Sequence, residues 1–163
     1  MNQVETLNSF LTFRLGDELF AANVSKVLEI LEIPKITKVP HSPPFMRGVI
    51  NLRGNVLPII DTRAKFGLSE MEDTVNTCII VMSVSLEGQD VTLGAICDAV
   101  QEVMEIEESQ VHSAPSIGAK YKSEFIDGMV KRDEKFIMLL NLDKAFSSQE
   151  ANLLQEIIGV SEI

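Results

Sequence analysis

The chain has 163 residues, 45% of them hydrophobic and 23% charged, a composition that folds one globular domain or two small ones without needing disulfides or a metal. Its 24 acidic and 14 basic residues leave a formal net charge of −10, which repels DNA, RNA and anionic membranes. The longest apolar runs, residues 78–82 and 136–140, are far short of the roughly 20 residues that cross a bilayer, and Met1 to Glu5 carry no basic flank ahead of a signal core, so a cytoplasmic protein is expected.

In chain order, residues 10–15 and 18–22 alternate around Gly16-Asp17 and predict a hairpin. Residues 23–28 read as one or two helical turns capped by Asn23. Residues 42–47 offer Ser42 as a cap with Pro43 at the first helical position. A second hairpin joins 48–53 to 56–60 around Gly54-Asn55. Pro58 has no N–H, which places its strand at an edge or the proline at a non-bonded position. Asp61 and Gly67 bracket a short helix. A third hairpin joins 77–84 to 91–97 around Glu87-Gly88, and a fourth joins 125–130 to 135–142 around Arg132-Asp133-Glu134. Residues 147–163 form a C-terminal helix, opened by the capping box Ser147 to Glu150 and carrying Leu153, Leu154, Ile157 and Ile158 at helical spacing. Many short strands with regular turns predict a mainly β protein.

A weak internal repeat runs through this pattern. Ala22, Val27, Glu29, Glu32 and Ile33 recur as Ala95, Val100, Glu102, Glu105 and Ile106. His41-Ser42-Pro43-Pro44 recurs as His112-Ser113-Ala114-Pro115, and Gly48 and Phe66 recur as Gly128 and Phe146. A hairpin stands between each glycine and phenylalanine. The ordered polar and proline matches imply a duplication, with two similar barrels, a shared core and a groove between them.

Catalytic chemistry finds little footing. His41 and His112 lie beside proline turns with no nucleophile or carboxylate at a useful local spacing. Their common repeat position favours a structural or interfacial role. Gly-x-Gly-x-x-Gly and the P-loop pattern are both missing. Cys78 and Cys97 lack Cys-x-x-Cys spacing but sit symmetrically about the Glu87-Gly88 turn, so a simple register places them opposite each other. They read as two small core thiols; a cross-strand disulfide is geometrically open and disfavoured in a reducing compartment. Glu87, Glu102, Glu105, Glu107 and Glu108 read as solvated acidic surface, and Met82, Met129 and Met138 as core filling. No catalytic residue, metal ligand or cofactor is expected.

One stretch is specific. Gly48-Val49-Ile50-Asn51-Leu52-Arg53-Gly54, continued as Asn55-Val56-Leu57-Pro58-Ile59-Ile60-Asp61-Thr62-Arg63, closely resembles the signature of CheW-like chemotaxis coupling proteins. The flanking order agrees: residues 10–15 with Gly16, Val27-Leu28-Glu29-Ile30, Val39-Pro40 before Pro44, Phe66-Gly67-Leu68 and Asp98-Ala99-Val100. Leu28 stands where the family commonly has a polar residue, and Thr62 where it usually has an aliphatic one. The resemblance covers residues 10–146 and implies two small five-stranded β-barrel subdomains around a shared hydrophobic core, with few short helices and the C-terminal helix. The first subdomain would span about 10–70 and the second 75–146, with strands free to cross between them.

The same resemblance implies a non-catalytic adaptor that bridges chemoreceptor signalling tips and the regulatory domain of the histidine kinase CheA, without nucleic acid and without membrane insertion. Adaptor and kinase would alternate in rings through equivalent barrel contacts. The family's receptor contacts map onto Val27, Glu29, Gly48, Arg53 and Val103, and a kinase contact onto His112 and Ile117. Val27 and Val103 offer apolar area, Gly48 allows close approach of a helix, and Arg53 and Glu29 are suited to pair and shape the groove. A second reading places the adaptor in a non-flagellar chemosensory pathway. A third, a small β-barrel enzyme with an acidic groove, has no motif to support it.

Overall fold

The computed structural model describes residues 8–69, 72–112 and 125–159. Four hairpins form where alternation and turn chemistry place them: β1 (Ser9–Leu15) with β2 (Glu18–Asn23), β4 (Met46–Leu52) with β5 (Asn55–Ile60), β6 (Cys78–Leu86) with β7 (Gln89–Cys97), and β9 (Ile126–Arg132) with β10 (Lys135–Leu140). Three of the turns hold two left-handed residues each: Arg53 and Gly54 (φ +52° and +88°), Glu87 and Gly88 (+50° and +77°), and Asp133 and Glu134 (+51° and +66°). That pattern matches the right-handed twist of the flanking strands. The second hairpin therefore turns at Arg53-Gly54, one residue earlier than expected. The Asn51 side chain accepts a bond from the Gly54 N–H at 2.8 Å and fixes that register.

Two further expectations change. Only Val24–Lys26 form a 3-10 turn, with Asn23 accepting from the Ser25 N–H; Val27 and Leu28 instead open β3 (Val27–Glu32). All six residues of β3 are aliphatic or acidic, with aliphatics on both faces, so helical and strand periodicity compete, and pairing with β6 decides. Residues 42–47 make no helix: the Met46 N–H donates to the Pro43 carbonyl at 2.9 Å, closing a single turn before β4 begins. The two remaining helices follow their caps. Helix α1 (Thr62–Phe66) is capped by Asp61 and stopped by Gly67 in the left-handed region. Helix α2 (Ser148–Gly159) starts at the capping box, with Ser147 and Glu150 bonding each other's backbone N–H at 3.1 and 2.8 Å.

Ten strands make two curled five-stranded sheets, ordered β8-β1-β2-β10-β9 and β3-β6-β7-β5-β4, where β8 spans Ala99–Glu105. Renumbering the second half of the chain from β6 turns one order into the other. Each barrel takes a hairpin from one repeat and three strands from the other, so the duplicated halves are interlaced. Even the parallel pairs correspond, β10 on β2 and β5 on β7. Pro58 lies in an interior strand, opposite Val49 and just before the β5–β7 ladder begins, which is the non-bonded alternative.

The repeat needs one correction. Thr37 bridges Val49, and His112 bridges Met129, in the same antiparallel way beside Gly48 and Gly128. The structural counterpart of His112 is therefore Thr37. His41 lies four residues further on, with φ +61°. The shared His-Ser-x-Pro string arises from different places in the two halves.

Three apolar clusters follow from this arrangement. Ala21, Met104, Ile106, Val130, Ile137 and Leu139 fill the first barrel, and Ile50, Leu57, Ile59, Ile79, Val81 and Ile96 fill the second. The largest lies between them, where the outer faces of both sheets meet. A run of rings crosses it, Phe13 to Phe20 to Phe66 to Phe125, with centroids 6.0, 5.7 and 4.7 Å apart. Met82 and Met138 fill core, with Met129 half-buried beside them. Leu154 of α2 is fully buried in this cluster, a contribution of about 1.5–3 kcal/mol. No helix among the described residues is long and apolar enough to cross a membrane.

Candidate functional site

Three of the residues singled out by sequence, Glu29, Gly48 and Arg53, gather at the closing seam of the second barrel. Strands β3 and β4 are the two edges of its sheet, and the segment after β3 spans them. The Thr37 N–H donates to the Val49 carbonyl at 2.9 Å, and the Val49 N–H to the Thr37 carbonyl at 2.8 Å. Gly48 makes that strap possible. A Cβ there would lie 2.3 Å from the Thr37 carbonyl oxygen and 2.7 Å from Ile36 Cγ2, and its φ is +150°. The close approach Gly48 allows is thus by the chain's own backbone, and the residue is buried.

Arg53 Nη2 donates to Glu29 Oε2 across the same seam, at its solvent end. The expected pair forms, through one N–H rather than a two-pronged fork. Arg53 is held in the β4–β5 turn with most of its side chain in water, so the ion pair orients the groups more than it stabilises the fold. Val27 opens β3 half-buried against the shared core. Val103 stands on β8 of the other barrel, 61% exposed.

Sequence reasoning missed the apolar character of this surface. Leu28 and Ile30 on β3 are 56% and 46% exposed, although Val27, Leu28, Ile30 and Leu31 were all apolar in plain view. A strand that is aliphatic on both faces and lies at a sheet edge has one face left over. Ile30 and Val103 occupy the same repeat position, so each barrel presents an aliphatic residue there.

The crevice between the barrels lies elsewhere. About 370 Å³ in volume, it is lined by Phe10, Lys26, Met82, Leu140 and Asp143 among others, and by none of the five mapped receptor-contact residues. Asp143 pins it, accepting from the Ser85 N–H at 2.7 Å and from Lys26 Nζ at 3.3 Å. A second groove, about 580 Å³, runs between the β4–β5 turn, β7 and α2, with Arg53 on its wall. Across the opposite end, Asp98 accepts from the Gly16 N–H and from the largely buried guanidinium of Arg63, tying both barrels to α1.

His112 keeps its backbone in the bridge to Met129 and its side chain in water. Ile117 lies outside the described residues. Glu102, Glu105, Glu107 and Glu108 are exposed along β8 and the turn after it, whereas Glu87 sits apart in the β6–β7 turn. Among the described residues no three His, Cys, Asp or Glu side chains converge to hold a metal ion. Cys78 and Cys97 are opposite one another, Cys97 buried and Cys78 half-buried.

Residues 9–150 match the family described as the CheW-like domain. The chain is similar to the probable chemotaxis protein CheW of Rhizobium etli, 35% identical over 152 residues, covering 91% of this chain and 96% of that protein. It is similar also to the chemotaxis protein CheW of Klebsiella aerogenes, 33% identical over 148 residues, with 91% and 87% covered. Among solved structures it resembles the scaffolding protein TtCheW from Thermoanaerobacter tengcongensis, with a TM-score of 0.77, 32% identity, and 86% and 88% of the two chains covered.

Proposed function

Because this chain belongs to the CheW-like domain family, whose members are non-catalytic scaffolds of chemotaxis signalling, we propose that it holds chemoreceptor signalling tips against the regulatory domain of the histidine kinase CheA in the cytoplasm. The protein itself is a coupling adaptor without catalysis. The observation that supports the finer reading is strand β3 of the second barrel, which presents solvent-facing Leu28 and Ile30 and also carries Glu29, paired with Arg53. Aliphatic area with a charged rim is what an amphipathic helix needs for reversible docking. Receptor tips are helical, and Val27, Glu29, Arg53 and Val103 provide the contacts. Gly48 acts indirectly, by letting the strap set the seam. The kinase meets the first barrel near His112, and the resemblance adds Ile117 to that contact.

Co-sedimentation with receptor-bearing membranes, with and without the kinase, tests both contacts. Arg53→Glu should weaken receptor binding at least tenfold, about 1.4 kcal/mol, while the circular dichroism and melting profile stay as in the wild type. Unchanged binding would remove Arg53 from the contact. No sedimentation with either component would end the adaptor reading of this surface.

A further inference from the structure

The thiol pair at the open end of the β6–β7 hairpin is unused by the docking surface. Cys78 is the first residue of β6 and Cys97 the last of β7, and they are direct partners in the ladder. Residues directly opposite in an antiparallel pair have Cα atoms roughly 4.5–5.5 Å apart, inside the ~4.4–6.8 Å range that a disulfide spans. The two sulfurs already lie 3.3 Å apart, so closing a bond needs side-chain rotation only. Access is asymmetric: Cys97 is fully buried and Cys78 half-exposed.

We propose that Cys78 and Cys97 are a reversible dithiol–disulfide site, oxidised by a hydroperoxide at Cys78 and resolved by Cys97. The electrostatics agree with that division of roles. The hydrogen bond from the Cys97 thiol, opposed by burial and aided by the Val100 backbone, brings Cys78 down to about 7, while the same bond and burial push Cys97 up. The accessible sulfur is thus the more readily deprotonated of the two, and the thiolate is the form that reacts. Its electron pair attacks one peroxide oxygen, the O–O bond breaks, and the released oxygen leaves as water or alcohol after protonation. Cys78 is then a sulfenic acid. The Cys97 sulfur attacks Cys78, the S–O bond breaks, and the departing hydroxide takes the Cys97 proton. Two thiols are oxidised by two electrons, and one peroxide is reduced. The bond would clamp the point where β3 ends opposite Cys78 and where Asp98 ties the barrels.

The test treats the full chain with hydrogen peroxide and follows intact mass, iodoacetamide labelling and peptide maps. Expected are loss of two hydrogens, protection of both cysteines, a Cys78–Cys97 cross-linked peptide, and full reversal by dithiothreitol. Cys97→Ser should stop at a sulfenic acid on Cys78 that dimedone labels. In Cys78→Ser, Cys97 should stay reduced at the peroxide level that converts the wild type. The proposal is overturned if both wild-type thiols remain alkylatable, if oxidation runs to sulfinic acid without the internal bond, if the link is between chains, or if Cys97 oxidises as fast without Cys78. The wild-type peptide map decides even if a variant fails to fold.

Discussion

The two barrels share one plan and differ at the same seam. In the second, the β3 edge meets the β4–β5 turn as Glu29 against Arg53. In the first, the corresponding positions are Glu102 on β8 and Asp133 in the β9–β10 turn, two acids where the other has a pair of opposite charge. The strap differs as well. Thr37 crosses over Gly48 in the second barrel, and His112 crosses over Gly128 in the first. Duplication preserved backbone hydrogen bonding, which every copy must satisfy. Side chains at the seam were free to diverge, and of these two positions the second barrel has an acid facing a base where the first has two acids.

The largest effect should separate the two glycines. Gly48→Ala drives a methyl against a backbone oxygen at a φ that L-residues rarely adopt, whereas at Gly128 the nearest atom is Val111 Cγ1 at 2.5 Å, with the His112 carbonyl oxygen at 3.0 Å. Urea unfolding should show a loss of about 4 kcal/mol for Gly48→Ala and about 2 kcal/mol for Gly128→Ala. Equal losses would mean the straps are equally rigid and would break the contrast.

The C-terminal helix sharpens it further, since α2 packs against β5 of the second barrel. Burial raises the Glu150 pKa, but bonds from Lys65 and the Ser147 backbone outweigh that and leave it lowered. A lowered folded-state pKa gives stability that is present above the ordinary carboxylate range and lost as pH falls through the folded value. Glu150→Gln should therefore cost about 1 kcal/mol near neutral pH, and the difference from wild type should shrink in acid. Thermal melts across that range measure it. A constant difference would assign the loss to packing, with Lys65 lying over the Phe45 and Phe146 rings at 5.0 and 5.2 Å.

The smallest effect has the opposite sign. The β4–β5 turn has glycine at its second left-handed position, and the β9–β10 turn has Glu134. Glu134→Gly should stabilise the first barrel by about 0.5–1 kcal/mol, read as a rise in melting temperature. Gly54→Glu in the second barrel should lose a similar amount.

Much of this was legible in the chain. The Asp61 and Ser147 caps, the Glu87-Gly88 turn and the facing of Cys78 and Cys97 all rest on neighbours in sequence or on symmetry about a turn. Val27 and Leu28 misled because a short aliphatic-acidic segment satisfies both periodicities until a partner strand is present. Of the mapped contact residues, Arg53 and Glu29 were read as a pair and do meet, while Gly48 proved to serve the chain's own strap.

Alternation, caps and left-handed turns are local, so the amino-acid sequence alone determined the mainly β content, the four hairpins and the repeat. Which hairpin joins which sheet is settled by contacts between distant residues, as when Thr12 bonds the Glu102 carbonyl ninety positions away. Those contacts leave no periodic trace. Burial of both sheets' outer faces selects them together. Only the folded chain could therefore show that the repeats interlace, that Thr37 and not His41 answers His112, and that Leu28 and Ile30 remain uncovered.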